Sequence, residues 1–492
     1  MVIVQLKRLV MGLAIVLILV SLLTVFSVRN ATAASLSSSF SFKNFELSSV
    51  TGTKCPNTNA TCTNIAAEPQ IRADNAGNFY ASSENGLGGG TEAWKSTTGG
   101  KTYVALASPN AASSTNTSGF APGGGDTDLA TAPAKNANGF YNVYVASLSL
   151  ANVDVSTSVN GGKTWALNPI GATISGDDRE WIAADSASKV CISYHDVATF
   201  NIDVNCSMNA GLTFTQLGEA FDTNHLWLAQ NNATGNLVID PQNHIVYQTF
   251  SGIANAGEVT CSQAGTCGYH VVWMAISTDG GKTFTDHMVY NNPTTTVSYG
   301  HQFVNMSIDR AGNVYSVFSD NHNVYYSYST NHGSTWSSPV QVNKGPSNTA
   351  IEPWSVANHA GHIDIVWYGT SYYDGTNPPD NYPASASWYA YMAQNLSATT
   401  SGSSFSQTAA TPIIHYGGVC ESGVTCTGNR DLYDDFGIAV IPGTGLASII
   451  YSDDQYINDA NNPPQSGCTT ATTNTSSCDH TSVATQLSGS GI

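Results

Sequence analysis

The sequence predicts an all-β chain organised as a ring of four-stranded units, and three observations carry that prediction. An eight-residue pattern, Ser-x-(Asp/Asn/Thr)-x-Gly-x-Thr-aromatic, is written five times: STTGGKTY at 96–103, SVNGGKTW at 158–165, SMNAGLTF at 207–214, STDGGKTF at 277–284 and STNHGSTW at 329–336. The copies recur at unequal intervals of roughly 50 to 70 residues, the mark of a repeat architecture whose units carry loop insertions. Seven stretches read as β-hairpins, at 71–84, 129–147, 181–196, 237–250, 306–320, 354–369 and 437–454, each with two short apolar runs joined by Gly, Asn, Asp or Pro. Composition agrees: 45 Gly, 23 Tyr and many Ser, Thr and Asn, with only 10% charged residues, suit strands separated by many turns.

Taken in order, each of the first five hairpins is followed by a third apolar strand, then the repeated loop, then a fourth strand. The sixth unit keeps a worn copy of the loop, ATTSGSSF at 398–405. The seventh lacks one, and its fourth strand is expected from the N-terminal SFSFKNFEL, which would close the ring. Four-stranded units repeated around a ring make a β-propeller, here with seven blades and with six as the alternative. The repeated loop is read as a structural staple. Its short polar side chain accepts backbone N–H groups of its own turn, Gly permits positive φ, and the aromatic ring pins the turn to the blade.

The N-terminus carries Lys7 and Arg8, an apolar run from Leu9 to Val28, and Ala31-Thr32-Ala33, which has the small-x-small form of a cleavage site. Residues 1–34 are therefore expected to be an export signal or an uncleaved N-terminal anchor, residues 35–64 an N-terminal strand and Cys loop, and residues 65–492 the propeller. Membrane contact is expected only through an uncleaved 9–28 segment, and otherwise a secreted monomer. Ten Cys fall into near neighbours, 55 with 62, 191 with 206, 261 with 267, 420 with 426 and 468 with 478, which favours local disulfides in an oxidising compartment. The formal net charge of −18 argues against nucleic acid and anionic membrane surfaces as partners.

The five repeated loops resemble the Asp boxes of the sialidase (BNR repeat) superfamily, and the resemblance covers residues 65 to 490 as architecture. It implies that these loops lie on the face opposite the site, and that ligand residues come from the connections into the first strand of each blade and from those between its second and third strands. The candidates so placed are Glu68, Asp126, Asp128, Asp178, Arg179, Trp181, Asp196, His301, Glu352, Trp354 and residues 430–435. Sialidase chemistry implies three arginines on a substrate carboxylate, since the planar guanidinium fork binds carboxylates bidentately. Once residues 1–34 are set aside the chain has four Arg, and Arg310 sits in a turn of the other face, leaving Arg72, Arg179 and Arg430.

The same resemblance implies a Tyr nucleophile, for which Tyr433 is the candidate, with Glu352 as its activating carboxylate and Asp178 or Asp196 as acid/base. The family's opening Phe/Tyr-Arg-Ile-Pro is absent; EPQIRAD puts Arg72 inside a strand. A Ca²⁺ ion is a possible cofactor, held by Asp126 and Asp128 with Asp178 and Asp435. The insertion at 369–392, with Tyr372, Tyr373, Tyr382 and Trp388, offers aromatic faces for a sugar or a protein surface. Two functions follow as expectations: an exported exo-sialidase-type glycoside hydrolase recognising a sugar carboxylate through arginines, or a non-catalytic propeller binding a glycan or glycoconjugate, cell-wall polymer or protein at the same face.

Overall fold

The computed structural model describes residues 40–55, 58–110, 123–149, 152–173, 176–301, 303–375, 379–457, 461–468 and 478–492. The expected signal or anchor at 1–34 lies outside the described residues. Seven antiparallel sheets make seven blades. The N-terminal strand is β1 (Ser41–Glu46). Blade one holds β2 (Ala67–Ala73), β3 (Phe79–Glu84), β4 (Thr91–Ser96) and β5 (Val104–Ala105). Blade two holds β6 (Thr127–Lys135), β7 (Tyr141–Leu148), β8 (Val153–Ser158) and β9 (Ala166–Asn168). Blade three holds β10 (Asp177–Ala184), β11 (Val190–Asp196), β12 (Ile202–Ser207) and β13 (Thr215–Glu219).

Blade four holds β14 (Asn232–Asp240), β15 (Ile245–Gly252), β16 (Val271–Ser277) and β17 (Thr285–Asn291). Blade five holds β18 (Asn305–Ile308), β19 (Val314–Ser319), β20 (Val324–Ser329) and β21 (Val340–Gln341). Blade six holds β22 (Thr349–Ala357), β23 (Ile363–Thr370), β24 (Ser387–Asn395) and β25 (Ser406–Ala409), and the short β26 (His415–Tyr416) also pairs with β24. Blade seven is β27 (Gly437–Val440), β28 (Ala447–Asp453) and β29 (His480–Ser488), completed on its outer edge by β1, with Phe45 opposite Val483. N- and C-terminal strands thus share one sheet, which removes two free edges.

Burial explains the pattern of each blade. Inner strands are covered on both faces by the neighbouring blades, so β16 (VVWMAIS) is buried throughout, whereas the outer β17 (TDHMVYN) alternates between exposed and buried positions. Trp94, Trp273, Trp367 and Trp388 are fully buried in the middle strands and supply much of the apolar area between blades.

Each of the five complete repeats joins the third strand of its blade to the fourth. In the fourth blade Ser277 Oγ donates to Asp279 Oδ1 (2.7 Å) and accepts from Gly281 N (2.9 Å), and Asp279 Oδ1 also accepts from Lys282 N and Thr283 N (both 3.0 Å). Ser207, Asn209, Gly211 and Thr213 repeat this scheme. Gly211 has φ +81, and a Cβ there would lie 2.4 Å from Thr157 Oγ1, so glycine is required for both reasons.

The five expected Cys pairs all form disulfides, and no described cysteine is free. Such bonds persist in oxidising compartments. Among the described residues no helix is long and apolar enough to cross a membrane.

Candidate functional site

Innermost strands β2, β10 and β22 share an irregularity that the alternation of their residues does not announce. Each shifts register near its start: between Ala67 and Gln70, between Asp178 and Glu180, and between Ile351 and Trp354. The residue at each shift is non-glycine with left-handed backbone, Glu68 (φ 49), Arg179 (φ 55) and Glu352 (φ 51). Such bulges redirect one side chain and cost of order 1 kcal/mol or more each, which persists only where the surroundings enforce it. β14 has a shift at the same place but carries Gly235, where a Cβ would meet Val304 O at 2.2 Å.

These three side chains meet the loop 430–435 and Asp126. Arg179 Nε lies 3.3 Å from Asp126 Oδ2, its Nη2 is hydrogen-bonded to Asp434 Oδ2, and its guanidinium sits 4.1 Å over the Phe303 ring. Arg430 Nη2 donates to Glu68 Oε1 (2.9 Å) and to Asp434 Oδ2 (2.8 Å). Glu68, Glu84 and Asp126 bring carboxylate oxygens within 4.8 Å of one another. Glu84 ends β3, opposite Ala67, and Tyr368 holds the matching place in blade six, opposite Ile351.

Carboxyl groups outnumber the cations here, and burial sets their state. Burial, reinforced by Asp126, pushes the Glu84 carboxyl up to about 8. Burial also lifts Asp435 to about 8 although Arg179 opposes it. Glu68, Glu180 and Glu352 are driven well above the usual carboxylate range, first by burial and then by neighbouring acids. Among the described residues none donates a hydrogen bond to either oxygen of Glu352 or of Glu180. Several of these groups are therefore neutral acids at pH 7, side by side with carboxylates paired to arginine.

The structure sorts the residues singled out from sequence. Arg179, Arg430, Glu68, Glu352 and Asp126 converge with Asp434, Asp435 and Glu84. Arg72 does not join them. It points into the axial channel, a cavity of about 350 Å³ lined by innermost strands, where its Nη2 donates to Asp128 Oδ1 (2.8 Å) and its Nη1 to Gln70 Oε1 (2.9 Å). Strand spacing explains this: Arg72 lies past the bulge, four residues beyond Glu68, so the three arginines do not form one cluster.

Asp128 is buried against Arg72, Leu129 N (2.8 Å) and Ile182 N (3.0 Å), while Asp126 faces Glu68, Glu84 and Arg179. The two are thus not brought together as a cation pair. Asp196 is buried and holds its own turn, accepting from Ala198 N (2.8 Å) and Thr199 Oγ1 (2.7 Å). Asp178 and His301 are exposed. Trp181 and Trp354 pack 5.4 Å apart, with Phe303 5.4 Å from Trp181, as an apolar floor. Tyr433 (φ 60) lies under the Arg430 guanidinium (5.2 Å), and burial together with Asp479, Glu84 and Glu68 raises its phenol. Glu352 stands instead among Asp434, Glu421 and Asp435 and beside Tyr368.

Sequence reasoning left Tyr368, Glu421 and Asp479 unassigned. The equivalence of Glu68 and Glu352 did have a signal, since Glu-Pro recurs as AEPQI at 67–71 and IEPWS at 351–355, at the same place in two blades.

No known protein-family model matches this chain, and no curated protein matches it. Solved structures similar to it include the GH93 α-L-arabinofuranosidase of Fusarium graminearum in complex with arabinobiose (15% identity, 66% of this chain and 93% of that one, TM-score 0.43). They also include the Penicillium chrysogenum α-L-arabinanase complexed with arabinobiose (10%, 85% and 92%, 0.41) and the Hadza microbial sialidase Hz136 (13%, 64% and 68%, 0.39). The chain is a seven-bladed propeller, the fold that its Asp-box resemblance implies.

Proposed function

We propose that this protein is a carbohydrate-acting propeller, a glycoside hydrolase whose chemistry is done by carboxyl groups at the converging ends of its innermost strands. One observation carries the reading: Glu68 and Glu352 occupy equivalent bulges in blades one and six, both buried, both sharing Asp434 and Arg179 as neighbours. A neutral carboxylic acid beside ion-paired carboxylates is the division of labour that glycoside hydrolysis uses, one group protonating the leaving oxygen and another assisting attack at the anomeric carbon. Glu352, without a hydrogen bond and high in pKa, is assigned as the acid. Glu68, whose Oε1 accepts from Arg430, is assigned to the opposite role although burial raises its carboxyl too.

A neutral sugar suits this site better than an acidic one. A substrate carboxylate would have to displace Asp126, Glu68 or Asp434 from the two arginines and would enter a field already rich in acid. A sialidase-like reading keeps one specific support: Asp434 bridges Arg179 and Arg430 much as a sugar carboxylate would. The deciding experiment is hydrolysis of aryl arabinosides, glucosides, galactosides, xylosides and sialosides by purified 35–492 between pH 4 and 8. Turnover of a neutral glycoside that Glu352→Gln abolishes supports the proposal. Turnover of the sialoside alone supports the arginine reading, and silence from a folded protein that still binds a glycan moves the assignment to a binding propeller.

A further inference from the structure

Beside the axial cluster, between blades six and seven, a second group of titratable side chains is buried, with His415 as its one basic group among the described residues. His415 lies on β26, Asp431 in the loop that carries Arg430 and Tyr433, Asp454 follows β28, and Asp479 precedes β29. All four are at most 2% exposed. One ligand atom each of His415, Asp431 and Asp454 lies within 4.8 Å of the other two. His415 Nε2 donates to Gly418 O (3.0 Å), which fixes the ring and turns Nδ1 toward Asp454 Oδ2 at 2.8 Å. Orientation of an imidazole by a carbonyl on its far nitrogen is what a metal-ligating histidine has.

Independent of that triad, Asp479 meets the Asp431 carboxyl and the Tyr433 phenol, and among the described residues no oxygen of either carboxyl is in a hydrogen bond of normal geometry. The side-chain oxygen of Gln455, also buried, is unbonded too. No Lys or Arg among the described residues pairs with Asp431 or Asp479. Buried carboxylates persist when they are paired or coordinate metals, and uncompensated ones are costly.

We infer that His415, Asp431, Asp454 and Asp479 form a site for one divalent cation that fastens the loop bearing Arg430, Tyr433 and Asp434 to blades six and seven. One imidazole nitrogen with carboxylate oxygens and no sulfur is a donor set for Zn²⁺ or Mn²⁺. On binding, the cation takes the place of the proton now lying between His415 Nδ1 and Asp454 and of the protons that buried Asp431 and Asp479 carry, and these leave to solvent. The site differs from the Asp126 and Asp128 arrangement expected from sequence, and it does not depend on which sugar the protein acts on.

The test is metal content and thermal stability of the full chain purified without added metal. Mass-spectrometric analysis should find a single equivalent of Zn²⁺ or Mn²⁺, EDTA dialysis should remove it and lower Tm by several degrees, and Zn²⁺ or Mn²⁺ should restore Tm. Asp431→Asn should lose both the metal and the EDTA response, whereas Glu84→Gln, in the axial cluster, should keep both. If Asp431→Asn does not fold, His415→Gln is read the same way, and the wild-type chelation result decides without either. Metal-free protein whose Tm ignores EDTA and added cations overturns the inference, as does recovery by Ca²⁺ alone or loss of the ion in Glu84→Gln but not in Asp431→Asn.

Discussion

Glu68 and Glu352 sit at the same bulge in the first and sixth blades, each with left-handed backbone and each followed by proline. The strain at these two positions aims two buried carboxyls at the ends of strands that belong to opposite arms of the chain. Their partners differ: Arg430 holds Glu68, whereas no donor among the described residues holds Glu352. Burial raises both carboxyls well above the usual range, so equivalent backbone presents one raised acid with an arginine partner and one without.

Replacing Glu352 by Gln should lower kcat by about 10²-fold or more, the usual worth of a general acid. Its Tm should stay within a few degrees of wild type, because the amide keeps the shape of a group that is already neutral. Glu68→Gln should also impair turnover but should lower Tm, since it removes the carboxylate that Arg430 binds. Calorimetry beside initial rates separates the two, and equal Tm losses would remove the distinction between them.

Arg179 makes the largest set of charge contacts, with Asp126, Asp434 and, at 4.0 Å, Glu68. Arg179→Ala leaves these acids without their cation in a mostly buried place, which should destabilise the fold by about 3–5 kcal/mol. Lysine restores charge but not the fork, and should recover only part. Urea unfolding of both variants checks this. An Arg179→Ala chain as stable as wild type would mean that the acids simply take up protons.

The ring of blades was legible because its signals are local: hairpins alternate with period two, and Ser277 to Phe284 and its copies write the same turn between third and fourth strands. The site was legible only in part. Arg179, Arg430, Glu68 and Glu352 were picked by position at strand entrances, but a bulge changes the direction of one side chain without altering the apolar pattern. That is why Arg72, close to Glu68 in sequence, ends in the channel with Asp128. Tyr368 and Asp479 gave no signal at all, since each meets its neighbours through contacts between different blades or loops.

Acidic pH should stabilise the protein. Glu84 and Asp435 rise to about 8 and Asp364 to about 8, all chiefly through burial, against ordinary values near 4. Between those limits the folded state binds more protons than the unfolded state, so stability falls as pH rises. The contribution is complete below about pH 4 and is lost as pH passes through about 8. Tm measured at constant ionic strength should therefore decline from pH 5 to pH 9. Glu84→Gln should flatten the decline, and a Tm that climbs toward pH 9 would show that these acids are ionised in the folded protein.

The disulfide between Cys191 and Cys206 joins directly opposed residues of β11 and β12, with Cα atoms 4.0 Å apart, in the interior of blade three. Both residues are buried in the core that includes Trp181, so the bond lies under the strand that presents Arg179. Closing a loop of this length restricts the unfolded chain by about 3 kcal/mol. The double replacement Cys191→Ala with Cys206→Ala should therefore cost about 3 kcal/mol or somewhat more, the excess coming from lost sulfur packing. Replacing half-buried Cys261 and Cys267, whose loop is shorter and outside the core, should cost less. Guanidinium unfolding of the two double variants gives the comparison, and a larger loss at 261 and 267 would mean that strand pairing alone holds blade three.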